Sequence, residues 1–311
     1  MGTTAQKLNK ILETKEAIRT AINNKGGTLT TTDTFASYPS AIDSLPSGGN
    51  DWLKEFLDET KDAKFLFCGK GYYGGGSNTT WYYNLTYERL QKILSYNTTS
   101  SVEYMSGMFY SCSKLTTIPL IDTSLVTKMD SMFNYCNSLT SIPQLNTSKV
   151  VFMNYMFQYC SKLITIPQLD TSKVNYMAYM FSGCKSLTSI PQLNTIEVKD
   201  MSSMFENCYK LTTIDITHMN ITSISNSASF AFNCYSLTKL IIRNMNTIPT
   251  LYFNAFDNCY HFTGTTNATY NPQGLKDGRI YVPDDKVDAL KTATNWSTYA
   301  DIIVPLSTLV E

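Results

Sequence analysis

The sequence predicts an α/β repeat protein. Near-identical coils stack, each pairing a short strand with a short helical segment, with a cap at either end and a small helical segment in front. Three observations carry this. Cys112, Cys136, Cys160, Cys184 and Cys208 stand 24 residues apart, and Cys234 and Cys259 follow at 26 and 25. Four further columns keep that register: Leu115, Leu139, Leu163, Leu187, Leu211; Ile118, Ile142, Ile166, Ile190, Ile214; Met105, Met129, Met153, Met177, Met201; and Phe109, Phe133, Phe157, Phe181, Phe205. Whole copies also recur, as in "SMFNYCNSLTSIPQLNTSKV" and "YMFQYCSKLITIPQLDTSKV".

A fixed period of this length with Leu and Ile columns is the signature of a leucine-rich-repeat solenoid. One coil cannot bury enough apolar surface to order itself, so copies must stack and their ends must be covered. The chain divides into an N-terminal helical anchoring segment and linker (1–48), an N-terminal cap (49–104), the repeat solenoid (105–282) and a C-terminal cap (283–311).

In the first segment, Thr3 and Gln6 form a capping-box pattern and Leu8, Ile11, Leu12, Ile18 and Ile22 form the apolar stripe of a helix that either docks on the solenoid's own flank or, the preferred reading, anchors on another chain or assembly. Gly26–Gly27 ends it, and a Ser-Gly-Gly linker follows. The N-terminal cap holds the Gly/Tyr-rich "GYYGGGSNTTWYY" and then "TYERLQKILSYN", which has helical spacing. Within each coil, "LTSI" reads as a strand, closed by Pro119, Pro143, Pro167 or Pro191 because proline cannot donate to a ladder. "NTSKVVFMNYMFQYC" then reads as a helical segment capped by Thr147 or Ser148, with Val150, Met153, Met156 and Phe157 turned inward. Ser141, Pro143, Thr165, Pro167 and Ser189 give the strand face a plain, small-residue surface. The tail reads as strand, short helix and strand, covering the last coil's edge.

Stacked cysteines sit roughly 4.8 Å apart and point the same way. A disulfide needs Cβ atoms about 3.8 Å apart and turned toward each other. Zinc needs four ligands around one point, and a file gives each sulfur only two neighbours. The column Cys112, Cys136, Cys160, Cys184, Cys208, Cys234, Cys259 therefore reads as small buried hydrophobes, and no metal or other cofactor is expected. Asp122, Asn146, Asp170 and Asn194 alternate in one column. An oxygen-lined calcium edge is one reading of it; side chains that hold the turn is the other, and the one preferred.

Lys plus Arg and Asp plus Glu number 25 each. A net charge of zero lacks the basic footprint of a nucleic-acid binder. No apolar run approaches the roughly 18 residues of a membrane span, and the first residues lack the apolar core of a secretory signal. Charged residues are 16% of the chain, against about 25% in ordinary soluble domains. The surface is thus built from Ser, Thr, Asn, Gln and Tyr, which suits protein or sugar contact. Only two histidines occur, His218 and His261, in different coils and beside no plausible nucleophile. No pair of carboxylates can be placed in a cleft, so an enzyme is not expected. Tyr135, Phe152, Tyr155, Tyr159, Tyr176 and Tyr179 occupy positions outside the inward set and form a candidate exposed patch. It could stack on sugars, anchor a partner or pack a neighbouring subunit.

The pattern "MxxMFxxCxxLTxIPxLxTSxV" resembles the bacterial surface-protein (BspA-like) type of leucine-rich repeat, and "SFAFNCYSLTKLIIRN" resembles its commoner "AFxxC..L" form. The resemblance covers about residues 100–282. It implies adhesion or recognition and brings no catalytic residues. The opening "ILETKEAIRTAINNKGGTLTTTDTFASYPSAIDSL" is similar to N-terminal segments of phage tail and appendage proteins. Together with the lack of a secretory signal, this implies a non-enzymatic virion structural protein, assembled in the bacterial host cytoplasm. Its first segment would dock on other virion proteins, its solenoid would face a host-surface glycan or protein, and it could form a trimer. The alternative is a bacterial cell-surface adhesin or secreted interaction protein.

Overall fold

The computed structural model describes residues 102–218, 228–249 and 254–310, with single positions at Thr20, Asn23, Tyr87, Glu88, Leu90, Gln91 and Thr99. The chain divides into two compact units, Met1–Phe65 and Leu66–Glu311. In the first, Thr20 and Asn23 are helical. The expected anchoring stripe (Leu8, Ile11, Leu12, Ile18, Ile22), Cys68 and the Gly/Tyr-rich stretch lie outside the described residues.

In the second unit each coil begins with an arc such as Thr127–Cys136, joined to the next coil by a parallel ladder. Single bridges run Tyr104 to Lys128, Lys128 to Phe152, Phe152 to Tyr176 and Tyr176 to Asp200. Beyond each bridge the backbone N–H groups divide their work. Those of Met129, Ser131, Phe133 and Tyr135 donate to Phe152, Asn154, Met156 and Gln158 of the following coil, at 2.8–2.9 Å. Those of Met132, Asn134 and Cys136 donate three residues back, to Met129, Ser131 and Phe133. Alternation gives the donors from Ser131 to Cys136 a partner while the chain bends round the core.

That arc corrects the sequence reading of a capped helix. Ser131, Tyr135, Tyr155, Tyr159, Tyr179, Ser203 and Asn207 all have positive φ, as do Gly107 and Gly183 at matching places. The third residue of a tight turn needs this conformation and a helix forbids it. The apolar residues of M-x-x-M-F-x-x-C fall at intervals of 3, 4 and 7, which one helical face also produces. Two successive turns bury the same set: Met129, Met132, Phe133 and Cys136 are all inaccessible to solvent. Thr147 caps no helix; its hydroxyl donates to the Asp170 carbonyl of the next coil at 2.8 Å.

The "LTSI" stretches of the regular coils are also not strands. Each makes one backbone bond across, such as Thr140 N–H to the Thr116 carbonyl at 2.9 Å, before a proline removes the next donor. Where Asp215 and Ile241 replace the proline, strands form: β1 (Thr213–His218) and β2 (Lys239–Asn244). A one-turn helix α1 (Tyr260–Thr263) follows. Then come β3 (Arg279–Val282), α2 (Val287–Thr292) and β4 (Ile303–Pro305). The four strands form one parallel sheet in the order β1-β2-β3-β4. The molecule is thus a repeat fold with short parallel strands in one sheet.

The core is a set of files. Phe109, Phe133, Phe157, Phe181 and Phe205 are fully buried, with neighbouring ring centroids 5.3–5.6 Å apart and planes within 15° of parallel. Phe205 to Phe230 and Phe230 to Phe256 turn edge-to-face, at 87° and 88°. Trp296 is fully buried against Phe256 and donates its Nε1–H to the Pro249 carbonyl at 2.8 Å, pinning the tail to the last coils.

Candidate functional site

The seven cysteines of the repeat grid are free and buried. Each sulfur from Cys136 onward donates to a carbonyl of the preceding coil: Cys136 to Phe109, Cys160 to Phe133, Cys184 to Phe157, Cys208 to Phe181 and Cys234 to Phe205, at 3.0–3.1 Å. Cys259 reaches Ala231 at 3.1 Å. The Phe133 carbonyl thus accepts two bonds, from Cys136 N–H and from the Cys160 thiol. These cysteines are donors that tie one coil to the next, beyond their value as small apolar groups. Burial pushes the Cys160, Cys184, Cys208, Cys234 and Cys259 thiols well above the ordinary range, so they are poor nucleophiles.

The six candidate aromatics lie in three rows along the stacking axis. Tyr135 sits between Tyr110 (5.9 Å, edge-on) and Tyr159 (4.7 Å). Phe152 stacks on Tyr176 at 5.4 Å, and Tyr155 on Tyr179 at 5.0 Å. The Lys128 ammonium lies over both Tyr104 (5.3 Å) and Phe152 (5.2 Å). Tyr135, Tyr159 and Tyr176 are exposed by 41%, 37% and 37%, while Phe152, Tyr155 and Tyr179 are half-buried because their neighbours cover them. Phe152 therefore carries Lys128 and Tyr176 on it and offers an edge rather than an open face. Gly183 extends the first row: a Cβ there would stand 2.5 Å from the Tyr159 ring, so the glycine makes room for it.

A second tyrosine cluster escaped the sequence reading. Tyr235 stacks on Tyr209 (4.6 Å) and Tyr260 (5.1 Å) and meets Tyr270 at 4.9 Å; Lys185 lies over Tyr209 at 5.6 Å. Its signal was the column one place after each cysteine, which reads Lys185, Tyr209, Tyr235, Tyr260.

Also missed was an open groove of about 1100 Å³, crossing four coils from Leu120–Ser124 to Gln192 and Asn194. Its floor includes Leu145 and Leu169, both buried. Gln144 and Gln168 line the groove, and each Nε2 donates to the carbonyl of the glutamine one coil on. The alternating column Asp122, Asn146, Asp170, Asn194 lines it as well. Each Oδ1 there accepts the backbone N–H two residues later, at 2.9–3.2 Å. These bonds with Ser124 and Ser172 hold the Asp122 and Asp170 carboxyls below their ordinary range, so both are anionic at neutral pH. Among the described residues no group of His, Cys, Asp and Glu is placed to hold a metal ion. The histidines are apart in use: His218 Nδ1 meets the Thr217 hydroxyl, and His261 lies between the Asp277 carboxylate (2.7 Å) and the Tyr270 carbonyl (3.0 Å). Among the described residues no helix is long and apolar enough to cross a membrane.

No curated protein matches the chain. Among solved structures it is similar to a leucine-rich repeat protein of T. pallidum, at 18% identity and a TM-score of 0.36, covering 48% of this chain and 66% of that one. It is also similar to a leucine-rich repeat protein from Eubacterium ventriosum, at 19% identity and a TM-score of 0.37, covering 51% of this chain and 41% of that one. The chain spans less than two thirds of the length of either. A family model described as "Mycoplasma protein of unknown function, DUF285" matches residues 80–186 and again residues 164–268. With more than half of its length so matched, the chain belongs to that family.

Proposed function

We propose that the chain is a non-enzymatic recognition protein, a solenoid whose coils hold rows of side chains toward a host-surface glycan or protein. The carrying observation is the rows themselves: tyrosines, glutamines and Asx residues recur at coil spacing on a surface with little charge. Its buried thiols are held protonated, and its histidines are engaged in separate places.

The setting proposed is a virion appendage, with residues 1–48 docking on other virion proteins and residues 49–104 and 283–311 closing the solenoid. What supports it is the similarity of the opening segment to tail and appendage proteins. The bacterial cell surface is the second setting, favoured by the match to a bacterial family. Quantitative proteomics of purified particles against surface-shaved cells tests the pair. Enrichment in particles is expected; enrichment on cells alone would move the protein to the cell surface. Retention of the full chain on intact host cells tests recognition itself. Light scattering of the purified chain tests the trimer.

A further inference from the structure

We propose that the groove over Leu145 and Leu169 binds a neutral, unbranched, hydroxyl-rich glycan lying along the stacking axis, one sugar unit per coil. This rests on the recognition reading above and names the ligand class and its site.

The first ground is what the groove leaves unused. The Thr123, Thr147 and Thr171 hydroxyls donate at 2.8 Å to carbonyls of the next coil, and the glutamine amides are spent likewise. Each Asx side chain is clamped through Oδ1 by its own turn. Its second polar atom makes no hydrogen bond among the described residues, and all four residues line the groove. Read along the axis these atoms are the Asp122 carboxylate, the Asn146 amide, the Asp170 carboxylate and the Asn194 amide: acceptor, donor, acceptor, donor. A hydroxyl can donate to the first and accept from the second, so a polyol satisfies the whole series.

The second ground is spacing. Coils follow one another at roughly 4.8 Å, whereas an extended peptide advances about 3.3 Å per residue and so cannot set one residue on each coil. An extended hexose unit advances by about one coil. Charge adds a third ground. A polyanion is repelled by Asp122 and Asp170, and a polycation would meet a carboxylate only at every second coil. The tyrosine rows stand outside this groove, whose lining includes none of them.

The experiment is calorimetric titration of the full chain with neutral β-1,4-linked oligomers of glucose, N-acetylglucosamine and mannose, two to six units long. Affinity is expected to rise with each unit up to about four, the number of coils crossed, and then to level off. Asn146→Asp with Asn194→Asp keeps the turn acceptors but removes both donors. It should weaken the four-unit ligand at least tenfold, read at a temperature where circular dichroism shows the variant folded, since four carboxylates at coil spacing lower the unfolding midpoint. Tyr135→Ala with Tyr159→Ala should leave affinity unchanged. Binding of no oligomer, binding independent of length, or binding indifferent to the asparagine changes would each overturn the proposal. If the asparagine variant still adheres to host cells like the parent, recognition stands and the groove falls. If the parent itself does not adhere, the recognition reading fails first.

Discussion

The regular coils of residues 105–208 and the irregular coils of residues 209–305 solve one problem in two ways. In the first region the period is 24 throughout, the phenylalanines stack nearly parallel, and cohesion comes from bridges and turn donors in the arc. In the second the cysteine spacing drifts, the rings turn edge-on, and a true parallel sheet adds to arc bonds that continue, such as Ala231 N–H to the Ala255 carbonyl at 2.8 Å. The changeover is local. Leu187 lies 24 residues before Leu211, yet Leu193 bridges Ile216, so one residue has been dropped between them. The proline goes in the same coil. Identical copies can rely on side-chain files because each ring finds its twin. Unlike copies need the backbone, which pairs whatever the side chains are.

The largest test is Phe157→Ala. Removing a fully buried ring from the stacked file should cost about 3–5 kcal/mol in denaturant unfolding. Hydrogen exchange should show protection lost first around Met153–Phe181 and kept in β2, because each coil contacts only its neighbours. Uniform loss would make the two regions one cooperative unit. Next is the feature both share. Cys160→Ala and Cys259→Ala each remove a donor held at 3.1 Å and should each cost about 1–2 kcal/mol. A much smaller cost for Cys259 would show that the sheet has taken over the sulfur's work.

Third, Ser203→Gly should stabilise by about 0.5–1 kcal/mol, because Ser203 has φ of 50°. In a helix the same change would cost about 1 kcal/mol, so the sign of the shift in melting temperature decides between the two structures. The smallest effect concerns Asp130. Burial raises its carboxyl above the ordinary range, against the pull of its bonds from Asn154. With the folded value above the unfolded one, the native state holds the proton more tightly, and stability falls as pH climbs through the folded value. Asp130→Asn keeps an acceptor for Asn154 and should gain about 0.5 kcal/mol at pH 7. The gain should vanish by pH 3 in a thermal melt series.

Much of the interior was legible because a column of identical residues can have only one environment. Met129, Phe133, Cys136 and Leu139, with their copies, are all inside. The backbone path between them was not legible from apolar spacing, since a helical face and two consecutive turns bury the same positions. Gly183, Asn207, Asn233 and Asn258, one place before each cysteine, carried the missing signal: three have positive φ as the non-glycine residues that best tolerate it, and Gly183 shares it. The tyrosines could be placed on coils from sequence, yet their mutual cover could not, because ring orientation depends on the coil rise. The glutamines of "IPQL" stood in view three times. Their role needed the carbonyl one coil away, which no single copy displays.

The division of labour among the arc amides has a consequence for how such proteins change. Because alternate donors always address the next turn of chain, any copy is a template shaped on both sides for another like itself. Lengthening by a whole unit inserts a segment whose two faces already fit, whereas a partial unit leaves every file misaligned. The length of the repeat face is therefore adjustable only in whole steps, and recombination between neighbouring copies is the natural means of adjusting it.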